Sequence, residues 1–253
     1  MPISATTSKI SHSSACAAAT RRLALLAAAM LCGCDAPAPK PPVASGTLAQ
    51  ANLVDIRSLA PDIAEDIKYA GSDNFVGTPV DGYEAAKCYL LRPAAEALAR
   101  VERDLRSRHQ RLLLWDCYRP ARAVAHFVRW GGDLADQRTK AAHYPNLDKR
   151  VLLGDYIAPR SGHSRGATMD LTLMQCDAHD EHCTPLEMGT PFDYFDLLAN
   201  TDNPNVTPAQ RANRDLLRDA MQRAGFRNYK FEWWHYTLAP EPTPDTYYDL
   251  PIR

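Results

Sequence analysis

The chain has 253 residues, 45% of them hydrophobic and 23% charged, with 29 Lys and Arg against 30 Asp and Glu. This is the composition of a globular protein, long enough to bury a substantial core, and it excludes wholesale disorder, a collagen-like repeat or a coiled coil. A net charge of −1 without any basic run leaves no electrostatic footprint for nucleic acid.

Residues 1–34 hold no acid and three basic residues, Lys9, Arg21 and Arg22, followed by a nine-residue apolar run from Leu23 to Leu31. A basic start, a short apolar core and small residues at its end describe a secretory signal peptide. The run is too short for a bilayer, which takes about 20 apolar residues. Leu31-Cys32-Gly33-Cys34 resembles the lipobox of bacterial lipoproteins, which implies removal of residues 1–33 and lipidation of Cys34; a plain signal peptide cut nearby is the alternative. Processing takes away all three basic residues and no acid, so the net charge moves from −1 to −4. Residues 34–49 are rich in Ala and Pro, cannot build a core, and read as a tether. The expectation is an exported protein, periplasmic or on the outer face of a bacterial membrane, touching that membrane only through its N-terminal lipid.

Residues 50–253 show neither repeat nor second linker and read as one domain. Pro93 to Arg108 has the pattern of a helix, with Pro93 in the first turn and Leu98, Val101 and Leu105 on one face. Arg111 to Asp116 suits a buried strand, and Pro120 to Trp130 a second helix with Val124, Phe127 and Val128 inward. A strand begins at Asp170, continuing through Leu171-Thr172-Leu173. Thr207-Pro208-Ala209-Gln210 has capping-box spacing for a third helix, and Gly225 marks its end. Phe226 to Phe231 and Trp233 to Leu238 read as two strands meeting at a turn or bulge. Strands and helices mix without a repeating βαβ unit, which favours α+β.

Three segments carry chemistry. In Ser161-Gly162-His163-Ser164-Arg165-Gly166-Ala167-Thr168-Met169-Asp170, a loop histidine and a strand aspartate offer two zinc-ligand types, although such a pair is also found on ordinary surface loops. In Phe231-Glu232-Trp233-Trp234-His235-Tyr236, His235 could be a third ligand with Glu232 beside it as a general base. The other reading is an aromatic core strand. Residues three apart on a regular strand face opposite ways, so joint action needs a bulge or turn between them. In Asp116-Cys117-Tyr118-Arg119-Pro120, Arg119 leaves a strand end either as an oxyanion-binding guanidinium or as the partner of a structural acid.

Together these segments resemble the D-alanyl-D-alanine dipeptidases, zinc enzymes known from vancomycin resistance. The likeness continues in Lys68-Tyr69-Ala70, in the block from Asp73 to Glu84, and in Met188-Gly189-Thr190-Pro191-Phe192-Asp193, in the same order over nearly the whole domain. It implies a small α+β domain with a central antiparallel sheet flanked by helices and a cleft beside it holding one Zn2+ per subunit. By the same likeness His163, Asp170 and His235 are the ligands, Glu232 the general base and Arg119 the stabiliser of the transition state. Tyr69, Ser161 and Asp193 hold the free amino end of a small D,D-dipeptide. The implied reaction is hydrolysis of D-Ala-D-Ala to two D-alanines. Because the chain looks exported, scavenging dipeptides from peptidoglycan turnover fits better than depleting a cytoplasmic precursor. Two rivals are a related zinc D,D-carboxypeptidase or endopeptidase acting on stem peptides, and a non-catalytic lipoprotein binding wall fragments.

The chain has seven cysteines, an odd count. Cys16, Cys32 and Cys34 belong to the export segment, leaving an even four in the domain. Cys176 and Cys183, which enclose His179 and His182, could hold a second zinc, but in an exported protein a disulfide is the favoured reading. Cys88 and Cys117 form the other candidate pair among three possible connectivities.

Overall fold

The structure, a computed structural model, describes residues 40–253. The expected signal segment 1–33, the expected lipidation residue Cys34 and the first part of the expected 34–49 tether lie outside the described residues. Among the described residues no helix is long and apolar enough to cross a membrane.

The strands are β1 (Leu53–Asp55), β2 (Ala64–Glu65), β3 (Tyr89–Leu91), β4 (Gln110–Asp116), β5 (Thr168–Gln175), β6 (Thr184–Pro185), β7 (Phe226–Asn228) and β8 (His235–Leu238). One sheet runs β2-β4-β5-β8-β7, with β6 on the far end of β5; β1 and β3 form a separate antiparallel pair. The large sheet is antiparallel except at its edge, where β2 pairs parallel with β4. Its centre is β5, buried on both faces, as an apolar strand between two neighbours must be.

Among the described residues three long helices flank the sheet: α1 (Arg92–Arg106), α2 (Ala121–Gly132) and α3 (Pro208–Arg223). Each follows a local signal. In α1, Pro93 occupies the first turn and Leu98, Val101 and Leu105 are buried. The capping box of α3 is formed, Thr207 Oγ1 accepting from Gln210 N–H at 3.3 Å and Gln210 Oε1 from Thr207 N–H at 2.9 Å. Gly225, just past α3, has a φ of +94°, a left-handed conformation that glycine adopts without cost.

The two strands expected over 226–231 and 233–238 are shorter. Residues 229–234 form a tight turn, with Glu232 N–H donating to Tyr229 C=O at 3.0 Å and His235 N–H to Glu232 C=O at 3.2 Å. Aromatic residues favour strands locally. Here tertiary burial prevails: Trp233 and Trp234 are buried, Trp233 Nε1 donates to Thr190 Oγ1, and Asn228 Nδ2 donates to the carbonyls of Glu232 and His235.

The four domain cysteines form disulfides Cys88–Cys117 and Cys176–Cys183, the pairing expected over a second metal site. Loop closure in the unfolded chain gives the bridge of sequence separation 29 about 3–4 kcal/mol, and the one of separation 7 about 2–3 kcal/mol. Urea unfolding of C88A/C117A should therefore show the larger drop in stability, and of C176A/C183A the smaller.

Candidate active site

The site grows from a fault in sheet register. Leu114 of β4 lies opposite Leu171 of β5, but the next pair is Asp116 with Asp170, so Trp115 is extra. Such a bulge reverses which face the following residue occupies. Without it, Asp116 would share the face of the fully buried Leu112 and Leu114; with it, Asp116 stands beside Asp170. His235 opens β8 directly opposite Asp170 on the other side.

His163 arrives on the short 3-10 turn Gly162–Arg165. Ser161 caps the turn, its Oγ accepting from His163 N–H at 3.2 Å. The turn ends at Gly166 with a φ of +78°, where a Cβ would come within 2.8 Å of the Leu53 side chain, so only glycine fits. His163 Nδ1 donates to the Cys117 carbonyl at 2.8 Å, which leaves Nε2 with a free lone pair. That atom lies 3.2 Å from both Asp170 Oδ2 and His235 Nδ1, and His235 Nδ1 lies 3.0 Å from Asp170 Oδ1. One donor atom from each of the three residues falls within 4.8 Å of the others.

Two observations test whether these residues fit a metal ion. The imidazole fixed by a carbonyl on its far nitrogen is the usual second partner of a metal-binding histidine. Asp170 Oδ1 is buried and accepts no hydrogen bond, an orphan that a cation would satisfy. Two nitrogens and one carboxylate also match the composition of open, catalytic zinc sites. The fit is good. Burial alone would raise the Asp170 carboxyl, but His163 and His235 outweigh it and hold the group below its ordinary range, as a ligating carboxylate requires.

Glu232 sits on the turn before β8, its Oε2 3.3 Å from His235 Nδ1. The turn that shortens the two C-terminal strands thus brings Glu232 and His235 to one side, as their joint action requires. Burial pushes the Glu232 carboxyl up to about 7, helped by the charge of Asp170 and opposed by His235 and Arg119.

Arg119 pairs with an acid and also lines the cleft. Its Nε and Nη2 donate to Asp116 Oδ2 at 2.9 and 2.7 Å, yet Nη2 also faces Asp170 Oδ2 at 3.6 Å. The guanidinium lies over the rings of Tyr69 and Phe127, 5.1 and 5.0 Å from their centroids. At the deep end Tyr69 Oη donates to Asp193 Oδ2 at 2.8 Å. Burial and the nearby Asp170 charge push the Asp193 carboxyl well above its ordinary value. Asp193 is a non-glycine residue at φ +54°, a conformation that costs of order 1 kcal/mol and is sustained by its surroundings. His143 Nδ1 donates to its carbonyl at 3.0 Å. Buried Arg214 of α3 ties the same loop down through the carbonyls of Met188, Leu198 and Asn200.

His163, Asp170, His235, Glu232, Arg119, Tyr69, Ser161 and Asp193 all line one cleft of about 430 Å³. Of the bridged cysteines, Cys117 touches the site through its carbonyl, whereas Cys176 and Cys183 do not line the cleft. Sequence reasoning missed Asp116. It is fully buried, holds Arg119, lies 3.2 Å from His163 Nδ1 and accepts from Tyr83 Oη at 2.5 Å. A signal was present in the sequence: a charge closing an apolar strand three residues before Arg119.

Comparison with known proteins matches residues 49–253 to peptidase M15, the D-ala-D-ala dipeptidase family. A D-alanyl-D-alanine dipeptidase of Streptomyces coelicolor is 46% identical over 201 residues, covering 78% of this chain and 96% of the relative. One from Enterococcus faecalis is 41% identical over 188 residues, 74% of this chain and 91% of the relative. One from Escherichia coli is 34% identical over 186 residues, 74% and 84% respectively. A cleft that gathers two histidines, three acids and Arg119 therefore sits within a match spanning the whole domain, and the chain belongs to the D-ala-D-ala dipeptidase family of M15 metallopeptidases.

Proposed function

We propose that this protein hydrolyses the dipeptide D-Ala-D-Ala to two D-alanines with one zinc ion per subunit. The observation that carries the reading is the convergence of His163, Asp170 and His235 on one point, with Glu232 beside it and Asp193 buried at the closed end. The three converging residues would hold the ion. When bound, zinc supplies Lewis-acid polarisation of the scissile carbonyl and acidifies the attacking water.

The protein's own groups do the rest. Glu232 takes the proton of the attacking water and returns it to the leaving amine. Arg119, oriented by Asp116, offers its guanidinium to the oxyanion of the tetrahedral intermediate. The substrate ammonium meets Asp193 and Tyr69. In the free protein burial and the Asp170 charge push the Asp193 carboxyl well above its ordinary value, and a substrate ammonium would favour its charged form. A longer peptide would set an uncharged amide against that carboxylate, so the deep end selects a free amino terminus. Ser161, which Arg119 Nη1 reaches at 3.5 Å, borders the same space.

Export and lipid anchoring at Cys34 belong to the same proposal. The N-terminal composition supports them, as do two disulfides among the domain cysteines, since such bridges persist in oxidising compartments. The dipeptide would then come from peptidoglycan turnover. Recovery of unlipidated mature protein from the cytosol would count against this placement.

The catalytic reading is tested by hydrolysis of D-Ala-D-Ala, L-Ala-L-Ala and a muramyl pentapeptide, each with and without chelator. The D,D-dipeptide should be the best substrate, chelation should abolish its turnover and added zinc should restore it. Faster release of D-alanine from the pentapeptide would instead identify a carboxypeptidase.

A further inference from the structure

We propose that Arg227 receives the free C-terminal carboxylate of the substrate, which makes the cleft the electrostatic complement of a zwitterionic dipeptide. The proposal rests on the dipeptidase reading above and adds the recognition of the second charge. At the deep end Asp193 and Tyr69 are buried among Phe75, Phe127 and Phe195, which wall the cleft. The same lining includes exposed Arg160 and Arg227 with half-buried Arg165 and Thr237, which form its solvent-facing part. An acidic closed end and a cationic open end give the cleft a direction, and a zwitterion between them has only one favourable orientation.

The sheet places Arg227 at the required distance. It lies opposite Thr237 across the β7–β8 ladder, and Thr237 is two residues beyond His235 on the same face. Ladder spacing of about 5 Å and a two-residue rise of about 7 Å put the Arg227 and His235 Cα atoms about 8 Å apart. An extended arginine spans that distance. In a dipeptide whose scissile carbonyl sits at His163, Asp170 and His235, the carboxylate is a single residue further on, towards Arg227.

The other arginines of the cleft are already engaged. Arg119 is held by Asp116. Arg165 makes a two-point pair with Glu241 at 2.6 and 2.7 Å. Arg160 lies over the Tyr247 ring, 4.9 Å from its centroid, and donates to the Lys40 carbonyl. Arg227 is exposed and lines the cleft, and among the described residues its side chain has no ion pair and no hydrogen bond. A guanidinium left free there presents a fork matched to a carboxylate.

The test compares D-Ala-D-Ala with its C-terminal amide on wild type, Arg227→Gln and Arg227→Lys. The wild type should prefer the free acid. Arg227→Gln should raise KM for the acid about tenfold with little change in kcat, the mark of binding equal in ground and transition states, and leave the amide unaffected. Arg227→Lys, which keeps the charge, should recover part of the preference. A wild type that cleaves acid and amide equally, or an Arg227→Gln variant with the wild-type preference, overturns the proposal while leaving the dipeptidase reading intact. A metal-loaded wild type inert towards D-Ala-D-Ala would overturn that reading itself.

Discussion

Replacing Glu232 by alanine is expected to lower kcat on D-Ala-D-Ala by about 10²–10⁴, the usual contribution of a positioned general base, while the protein still binds its metal. The separation follows from the geometry. His163, Asp170 and His235 converge on one point, and Glu232 stands beside them, 3.3 Å from His235 Nδ1, as a fourth group outside that set. In the metal-free cleft burial lifts its carboxyl to about 7, and a carboxylate placed beside the ligands can take a proton from water and return it to an amine. Metal analysis of the purified variant beside steady-state kinetics checks both halves. Full activity refutes the assignment as base, and loss of metal makes Glu232 a ligand instead.

The second large effect is expected at Asp116. This carboxylate is fully buried and serves three partners at once: Arg119, Tyr83 Oη and the Nδ1 edge of His163. Asp116→Ala removes the nearer of the two carboxylates facing the Arg119 guanidinium, at 2.7 Å against 3.6 Å for Asp170, and breaking a buried ion pair typically destabilises a fold by about 3–5 kcal/mol. It also frees the guanidinium to swing away from the oxyanion, for which about 10²–10³ in kcat is the common cost of a lost stabiliser. Looser support for His163 should weaken metal affinity by about 10–100-fold, as for other groups that orient a ligating histidine. Chelator competition, urea unfolding and kinetics read the three effects separately. Asp116→Asn keeps an acceptor for Arg119 and should fall between wild type and Asp116→Ala. Wild-type metal affinity and turnover in Asp116→Ala would remove Asp116 from the machinery.

Much of this was legible in residue order, and the reason is range. The capping box at Thr207, Pro93 in the first turn of α1 and the apolar run of β4 act over a few neighbouring residues, so they can be read from a short window. The ligand types also stand in plain view, since zinc needs histidine and carboxylate whatever the fold. Other features depend on partners far along the chain. Which face Asp116 takes is decided by its register against Asp170, 54 residues away, because one bulged residue reverses the alternation. The turn that gathers Glu232 and His235 hangs on burial of Trp233 and Trp234 and on the Asn228 side chain, and it overrides the local preference of aromatics for strand. The left-handed Asp193 is held by His143 and Arg214, neither its neighbour. Arg227 gains its place only because β7 pairs with β8. The sequence by itself determined the helices and the central strands, set by local propensity, and its likeness to the dipeptidases named the expected reacting groups. Tertiary structure alone decided their facing and their distances, because strand register and burial are settled between segments that only the folded chain brings together.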